Sequence, residues 1–302
     1  MALKDIKTKI KATERMHKVT RAMEAVSAVK MRKTQSAALS GRSYARAAVS
    51  ILSRLSATRH VTGHPLAEHR DVKKVALIII TSDKGLAGAL NSGVLKKAVE
   101  ALEGRAKEEV VVYAYGKKGE EFFGRRGYEI RRAFENKRDD VPLSVMEDLS
   151  DEVTAGFLAG DFDRVIAVYS AFKSTFEQVP TWRRILPLSL GALTDIVNDI
   201  TPAKGKWSEE AEKPAPSSYE VEPSEEEVLS VLVPRLTAVA LYHMLLEAKA
   251  SEHSARMVAM KNASDNSKEV VHDLNRVYNK VRQAAITREV SEIVGGREAL
   301  AT

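Results

Sequence analysis

Cysteine is missing from all 302 residues, which excludes disulfide frameworks, thiolate-bound zinc and thiol nucleophiles together and suits a reducing compartment. The first residues, MALKDIKTKIKATERMHK, lack the apolar centre of a secretory signal. By the same reading no stretch nears the roughly 20 apolar residues that cross a bilayer, so a soluble chain is expected. Proline is absent from Leu3 to about Ser56, and glycine occurs there only as Gly41. Acids are scarce in the same region: residues 1–59 carry 14 Lys or Arg against Asp5, Glu14 and Glu24.

What is present follows from those gaps. With 44% apolar and 29% charged residues the chain is globular, with enough length for one large domain or two modest ones. Its net charge of +6 divides into +11 for residues 1–59 and −5 for the remainder. Three carboxylates cannot pair fourteen cations at i,i+4, so the basic segment calls for an anionic partner. Nucleic acid and an acidic protein surface both meet that requirement on charge alone. No zinc-finger spacing or RNP-type aromatic motif accompanies the charge.

Without helix breakers, residues 3–56 predict one helix of about 80 Å. Ile6, Ile10, Thr13, Met16, Val19, Met23 and Val26 recur at steps of three and four and predict its packing stripe. Residues 235–294 also lack Gly and Pro and predict about 90 Å of helix. A 3/4 register there, running from Leu232 through His243, His253, Met260, Ser264, Ser267, Val271, Leu274, Tyr278 and Val281 to Ala285, predicts a left-handed coiled coil. Gly295 and Gly296 read as its stop.

Between the helices the pattern changes. VKKVALIIITS, EEVVVYAYG, DRVIAVYSAF and VPTWRRILPLSL read as strands; NSGVLKKAVEAL, KKGEEFFGRRG and PLSVMEDLSDEVTAGFLAG read as helices. That alternation predicts a three-layer, Rossmann-like α/β domain with a largely parallel sheet, inserted between two long terminal helices that pair antiparallel. The expected boundaries are 1–60 for the first helix, 70–200 for the α/β domain, 201–227 for an acidic proline-containing linker and 228–302 for the last helix.

Signals for chemistry are weak. TSDKGLAGALNSG, residues 81–93, follows a strand and opens a helix, the context of a phosphate cradle. It lacks both the Walker spacing with its Lys-Ser/Thr and the Gly-x-Gly-x-x-Gly fingerprint, so glycines closing a tight turn explain it on geometry. His60, His64 and His69 cluster, but Gly63 and Pro65 prevent one helix face from presenting them to a metal. No Gly-x-Ser-x-Gly elbow or spaced carboxylate dyad is visible, and no catalytic residue is assigned.

Three passages carry a resemblance. KDIKTKIKATERMHKVTRAMEAVSAVKMRK, TSDKGLAGALNSG, and ASEHSARMVAMKNASDN with VYNKVRQAAITREVSEIVGG resemble, in order and over essentially the whole length, the γ subunits of F-type rotary ATP synthases. The resemblance implies a rotor shaft without a catalytic site, turning inside a ring of three α and three β subunits, with the ε subunit and the membrane c-ring below. It implies no nucleic-acid partner, no metal or cofactor on this chain, and ATP or ADP with Mg held by α and β. Met23, Lys30, Arg32, Lys33, Lys84 and Ala87 match positions that pass the acidic levers of β. Arg282, Gln283, Thr287 and Glu289 match positions meeting the ring's catch loops, Ile293 and Val294 an apolar bearing, and Tyr219 and Glu220 the ε and c-ring contact. A bacterial form, peripheral on the cytoplasmic face of the plasma membrane, is the expected setting.

Overall fold

The computed structural model describes residues 3–40, 65–188 and 224–301. These fall into two compact units, Met1–Ser27 with Arg256–Thr302, and Ala28–Ala255. The predicted continuation of the first helix to Ser56, His60, His64 and most of the 201–227 linker lie outside the described residues.

In the larger unit, five strands form one sheet: β1 (Val75–Ile80), β2 (Val110–Tyr115), β3 (Glu129–Phe134), β4 (Arg164–Phe172) and β5 (Gln178–Leu186). Their order is β3-β2-β1-β4-β5. The first four run parallel and β5 returns antiparallel to β4. The expected α/β architecture is therefore present. β3 is a strand that the apolar pattern does not reveal, because Glu129, Arg131 and Arg132 interrupt it. Those charges suit an edge strand, where they discourage pairing with another chain.

Three helices cross between strands: α2 (Leu90–Ala101), α3 (Lys117–Gly124) and α4 (Ser144–Ala159). On one face of the sheet, Val75, Leu77, Ile79, Ile166 and Val168 pack on Val94 and Ala98 of α2 and on Phe123 of α3. On the other, Ala76, Ile78, Val165, Ala167 and Tyr169 meet Met146, Leu149, Val153 and Phe157 of α4. Leu236, Ala240, Leu241, Met244, Leu245 and Ala248 of the last helix complete that second face. Strands buried on both faces read as continuous apolar runs, which is why VALIII and VVVYAY are recognisable in the sequence.

The two remaining helices are α1 (Leu3–Ser40) and α5 (Glu225–Ala301). At 77 residues, α5 measures about 115 Å. As the boundary at 228 implies, Pro234 lies inside the helix; the stop read at Gly295 and Gly296 is corrected, because the helix continues through both to Ala301. Glycine costs only about 1 kcal/mol in a helix interior, less than a helix already running can absorb. Part of α5 is also apolar and long enough to cross a membrane by length and composition alone, contrary to the sequence reading. Its apolar side chains are those that complete the core beneath the sheet.

In the smaller unit the 3/4 register of α5 holds as predicted. From Met260 to Ala285 its seam positions Met260, Ser264, Ser267, Val271, Leu274, Tyr278, Val281 and Ala285 are buried or half-buried, while most intervening residues are exposed. His17 Nδ1 of α1 lies 3.0 Å from both the Ser264 carbonyl and hydroxyl oxygens, fixing the level at which the antiparallel helices meet.

Candidate functional site

The seam of α1 departs from the predicted stripe. Ile6 and Ile10 are buried and Thr13 half-buried; beyond them Thr20, Ser27, Met31 and Thr34 are buried and His17 half-buried. Met16, Val19 and Val26 are more than half exposed, at 59%, 57% and 55%, and Met23 is half-buried. The period is as predicted and the phase differs by one residue, because the apolar residues adjoin the true seam. Thr20 can occupy the seam because its hydroxyl donates to the Met16 and His17 carbonyls of its own helix. The covered stripe of α1 thus mixes Ile6 and Ile10 with polar His17, Thr20 and Ser27, while Met16, Val19 and Val26 form an apolar row turned outward.

The end of α5 shows a second exposed surface. After Ala285 every residue through Val294 is exposed. Ile286, Val290, Ile293 and Val294 recur at helical spacing there, and Ile293 is 72% exposed. Arg282, Gln283, Thr287 and Glu289, expected from the resemblance to meet a partner, all lie exposed on this stretch. These side chains combine an apolar row with a guanidinium, an amide and a carboxylate able to form directed hydrogen bonds.

In the larger unit, the glycine-bearing loop after β1 is a closed turn. Leu86 and Gly88 both adopt left-handed backbone, with φ of 63° and 57°. For leucine that conformation costs roughly 1 kcal/mol. The consequence is a difference in exposure: Ala87 is buried at 2%, and Leu86 stands out at 63%. Lys84 is exposed beside it. Ala87, expected from the resemblance to approach a partner, is enclosed within the chain, and Leu86 is the exposed side chain of the turn. The loop's backbone twist, which no motif encodes, decides between them.

Several amides at this end of the sheet are taken up by the chain's own side chains. Ser82 N–H donates to Asn91 Oδ1 at 3.1 Å, Lys117 N–H and Asn136 N–H donate to Asp83 Oδ1 at 2.9 and 3.0 Å, and Gly119 N–H donates to Thr81 Oγ1 at 2.9 Å. Gly116, with φ of 100°, lets this crest close, since a Cβ there would come within 2.1 Å of the Thr81 carbonyl oxygen. The crevice between β1 and β4, where strand order reverses and open α/β sheets bind ligands, retains only about 10 Å³. Ala248 and Glu252 of α5 help line it. An internal carboxylate and a helix take the place a nucleotide would need. Among the described residues no group of three or more His, Cys, Asp or Glu is placed to hold a metal ion.

Beside that crest, Lys30 Nζ of α1 lies 2.7 Å from Asp139 Oδ2, and His253 Nε2 of α5 lies 2.9 Å from Asp139 Oδ1. Burial would raise the Asp139 carboxyl, but the hydrogen bonds and charges of Lys30 and His253 outweigh it and hold it below the usual carboxylate range. One turn earlier, Lys249 is 2% exposed and donates to Asn136 Oδ1 and the Arg138 carbonyl. Burial pushes the Lys249 ammonium down, opposed by Glu252, Asp139 and Asp83. Lys30, expected to face a partner, is thus engaged within the chain. Arg32 and Lys33 are exposed, and Tyr219 and Glu220 lie outside the described residues.

Comparison with known proteins gives consistent matches. The family profile described as ATP synthase covers residues 2–300. An ATP synthase gamma chain from Roseiflexus castenholzii is 42% identical over 302 residues, covering 99% of this chain and 98% of the relative. One from Staphylococcus saprophyticus is 36% identical over 301 residues, covering 99% of each. Among solved structures, a chain of the Tetrahymena thermophila mitochondrial ATP synthase central stalk and c-ring matches with a TM-score of 0.60 at 26% identity, covering 82% of this chain and 99% of that one. A chain of the Euglena gracilis mitochondrial ATP synthase shares the fold with a TM-score of 0.65 at 18% identity, covering 99% of this chain and 94% of that one.

Proposed function

Because this chain belongs to the ATP synthase gamma family and is therefore a non-catalytic subunit, we propose that it is the central rotor shaft that couples ion-driven rotation of a c-ring to conformational change in catalytic β subunits. The observation that supports this reading is the apolar row of Met16, Val19 and Val26 on α1, which lies outside the helix's buried stripe. A helix pair that leaves Met16, Val19 and Val26 outside its own seam has surface to place against a surrounding protein.

The stator in this proposal is a ring of three α and three β subunits, which hold ATP or ADP with Mg. The ε subunit and the c-ring lie below, at the cytoplasmic face of a bacterial plasma membrane. Met23, Arg32, Lys33, Lys84 and Leu86 meet the acidic levers of β, where cations balance carboxylates. Arg282, Gln283, Thr287 and Glu289 hydrogen-bond the ring's catch loops, Ile293 and Val294 turn against an apolar bearing, and Tyr219 and Glu220 serve the ε and c-ring side. An asymmetric shaft shifts each β site by touching its conformations unequally; equal contact with all three would shift nothing. The nucleic-acid reading, raised by charge alone, gains no support from the full-length family match.

The test is an assembled, membrane-bound complex in which residues 1–9 and all residues after Ile286 are deleted from this chain. ATP hydrolysis by the ring is expected to persist while ATP-driven ion pumping falls. Full coupling with normal rotation in the truncated complex would refute the contact roles.

A further inference from the structure

We propose that Asp139 is a positioning residue that keys both long helices to the α/β domain, so that displacement of that domain is passed to the helices in fixed register. The inference rests on the rotor reading above and goes beyond it by naming where torque enters the helices.

Its basis is the way one carboxylate is shared. Oδ2 is held by Lys30 of α1 and Oδ1 by His253 of α5, so the two oxygens take one partner from each helix. Lys249 and His253 are four residues apart and lie on one face of α5. Lys249 grips the same loop through Asn136 Oδ1 and the Arg138 carbonyl. That loop is itself bound to the sheet, because Asn136 Nδ2 donates to the Thr81 carbonyl at 2.8 Å and Asn136 N–H to Asp83 Oδ1. A continuous set of charge-assisted and neutral hydrogen bonds therefore joins α1, α5 and the end of β1.

Packing already encloses α5 from Leu236 to Ser254, and the bonds to Asp139 add a direct tie from that helix to α1. Directed bonds to a carboxylate are stronger than neutral ones. The charges facing Asp139 are Lys30 from α1 and Lys249 and His253 from α5, with Glu252 and Asp83 acting on Lys249. Asp139 takes a cation from α1 and an imidazole from α5, and its removal leaves Lys30 without that carboxylate and Lys249 with Glu252 and Asp83 as its remaining anions.

The test is a double-mutant cycle in the membrane-bound complex, with Lys30→Gln, Asp139→Asn and the pair. Ion pumped per ATP hydrolysed is the first readout, and amide hydrogen exchange of residues 135–140 is the second. Each single change is expected to lower the pumping ratio, and the pair to be no worse than Asp139→Asn alone. Exchange of the 135–140 amides should quicken roughly tenfold or more. The reversed pair, Lys30→Glu with Asp139→Lys, should recover part of the ratio. Additive losses would return Lys30 to the stator surface and overturn the proposal, as would unchanged pumping and exchange in Asp139→Asn. If Asp139→Asn does not assemble, additivity is read from Lys30→Gln and the reversed pair, whose failure to exceed Lys30→Glu alone also overturns it. Should the helix-tip truncation uncouple the complex while these variants do not, the rotor reading stands and the keying role falls.

Discussion

The same helix meets two environments. From Leu236 to Ser254, α5 is buried nearly all the way round; from Lys261 to Ala285 it is covered along one seam only. The first stretch supplies a face of the α/β core, with Leu241 and Leu245 wholly enclosed. The second makes a coiled coil whose seam includes His17, Thr20, Ser264 and Ser267. Burial on all sides holds a helix in place, whereas a seam of small polar groups keeps two helices paired while leaving their surfaces for others. The difference separates a stretch whose whole surface is used within the chain from one that keeps most of its surface exposed.

The contrast can be broken most forcefully in the core. Phe123 is fully buried and packs edge-on against Phe122 and Tyr128. Phe123→Ala is expected to destabilise the larger unit by roughly 3–5 kcal/mol, read as a lower denaturant midpoint. A loss below about 1 kcal/mol would mean that this core is far looser than its burial implies. A smaller and opposite effect is expected in the seam. The Ser267 hydroxyl donates to its own helix at the Ala263 carbonyl, 2.7 Å away, and Ser267→Ala removes no bond between helices. It should raise stability by about 0.5 kcal/mol through helix propensity; a clear loss in thermal unfolding would show that the hydroxyl bridges the pair after all. The smallest change in stability belongs to the outward row. Val26→Ser is expected to stay within about 0.5 kcal/mol of the parent, yet to weaken association with the αβ ring in a pull-down. Unchanged association would remove Val26 from the stator surface.

How much is legible in the sequence follows the same division. β1, β2 and β4 announce themselves because both their faces are buried, and the α5 seam keeps one register over many turns. The phase of α1 is misleading because Met16, Val19 and Val26 are more apolar than His17, Thr20 and Ser27, the residues that in fact face the partner helix. Apolarity identifies surfaces that need covering, but it does not say whether the cover comes from the same chain. β3 is hidden by its edge charges. Leu86 and Asp139 carry no sequence signal at all: one depends on a left-handed backbone twist, the other on three elements brought together from residues 30, 139 and 253.

The core beneath the sheet also orders events during synthesis. Strands from residues 75–186 rest one of their faces on side chains from 236–248, so a nascent chain that has emerged only through β5 has a sheet with one side incompletely clothed. Folding of domains generally proceeds as units while the chain is made. This unit cannot close until the start of its final helix has left the ribosome. The α/β domain thus waits for the start of α5, which emerges ahead of the stretch from Met260 onward that forms the seam.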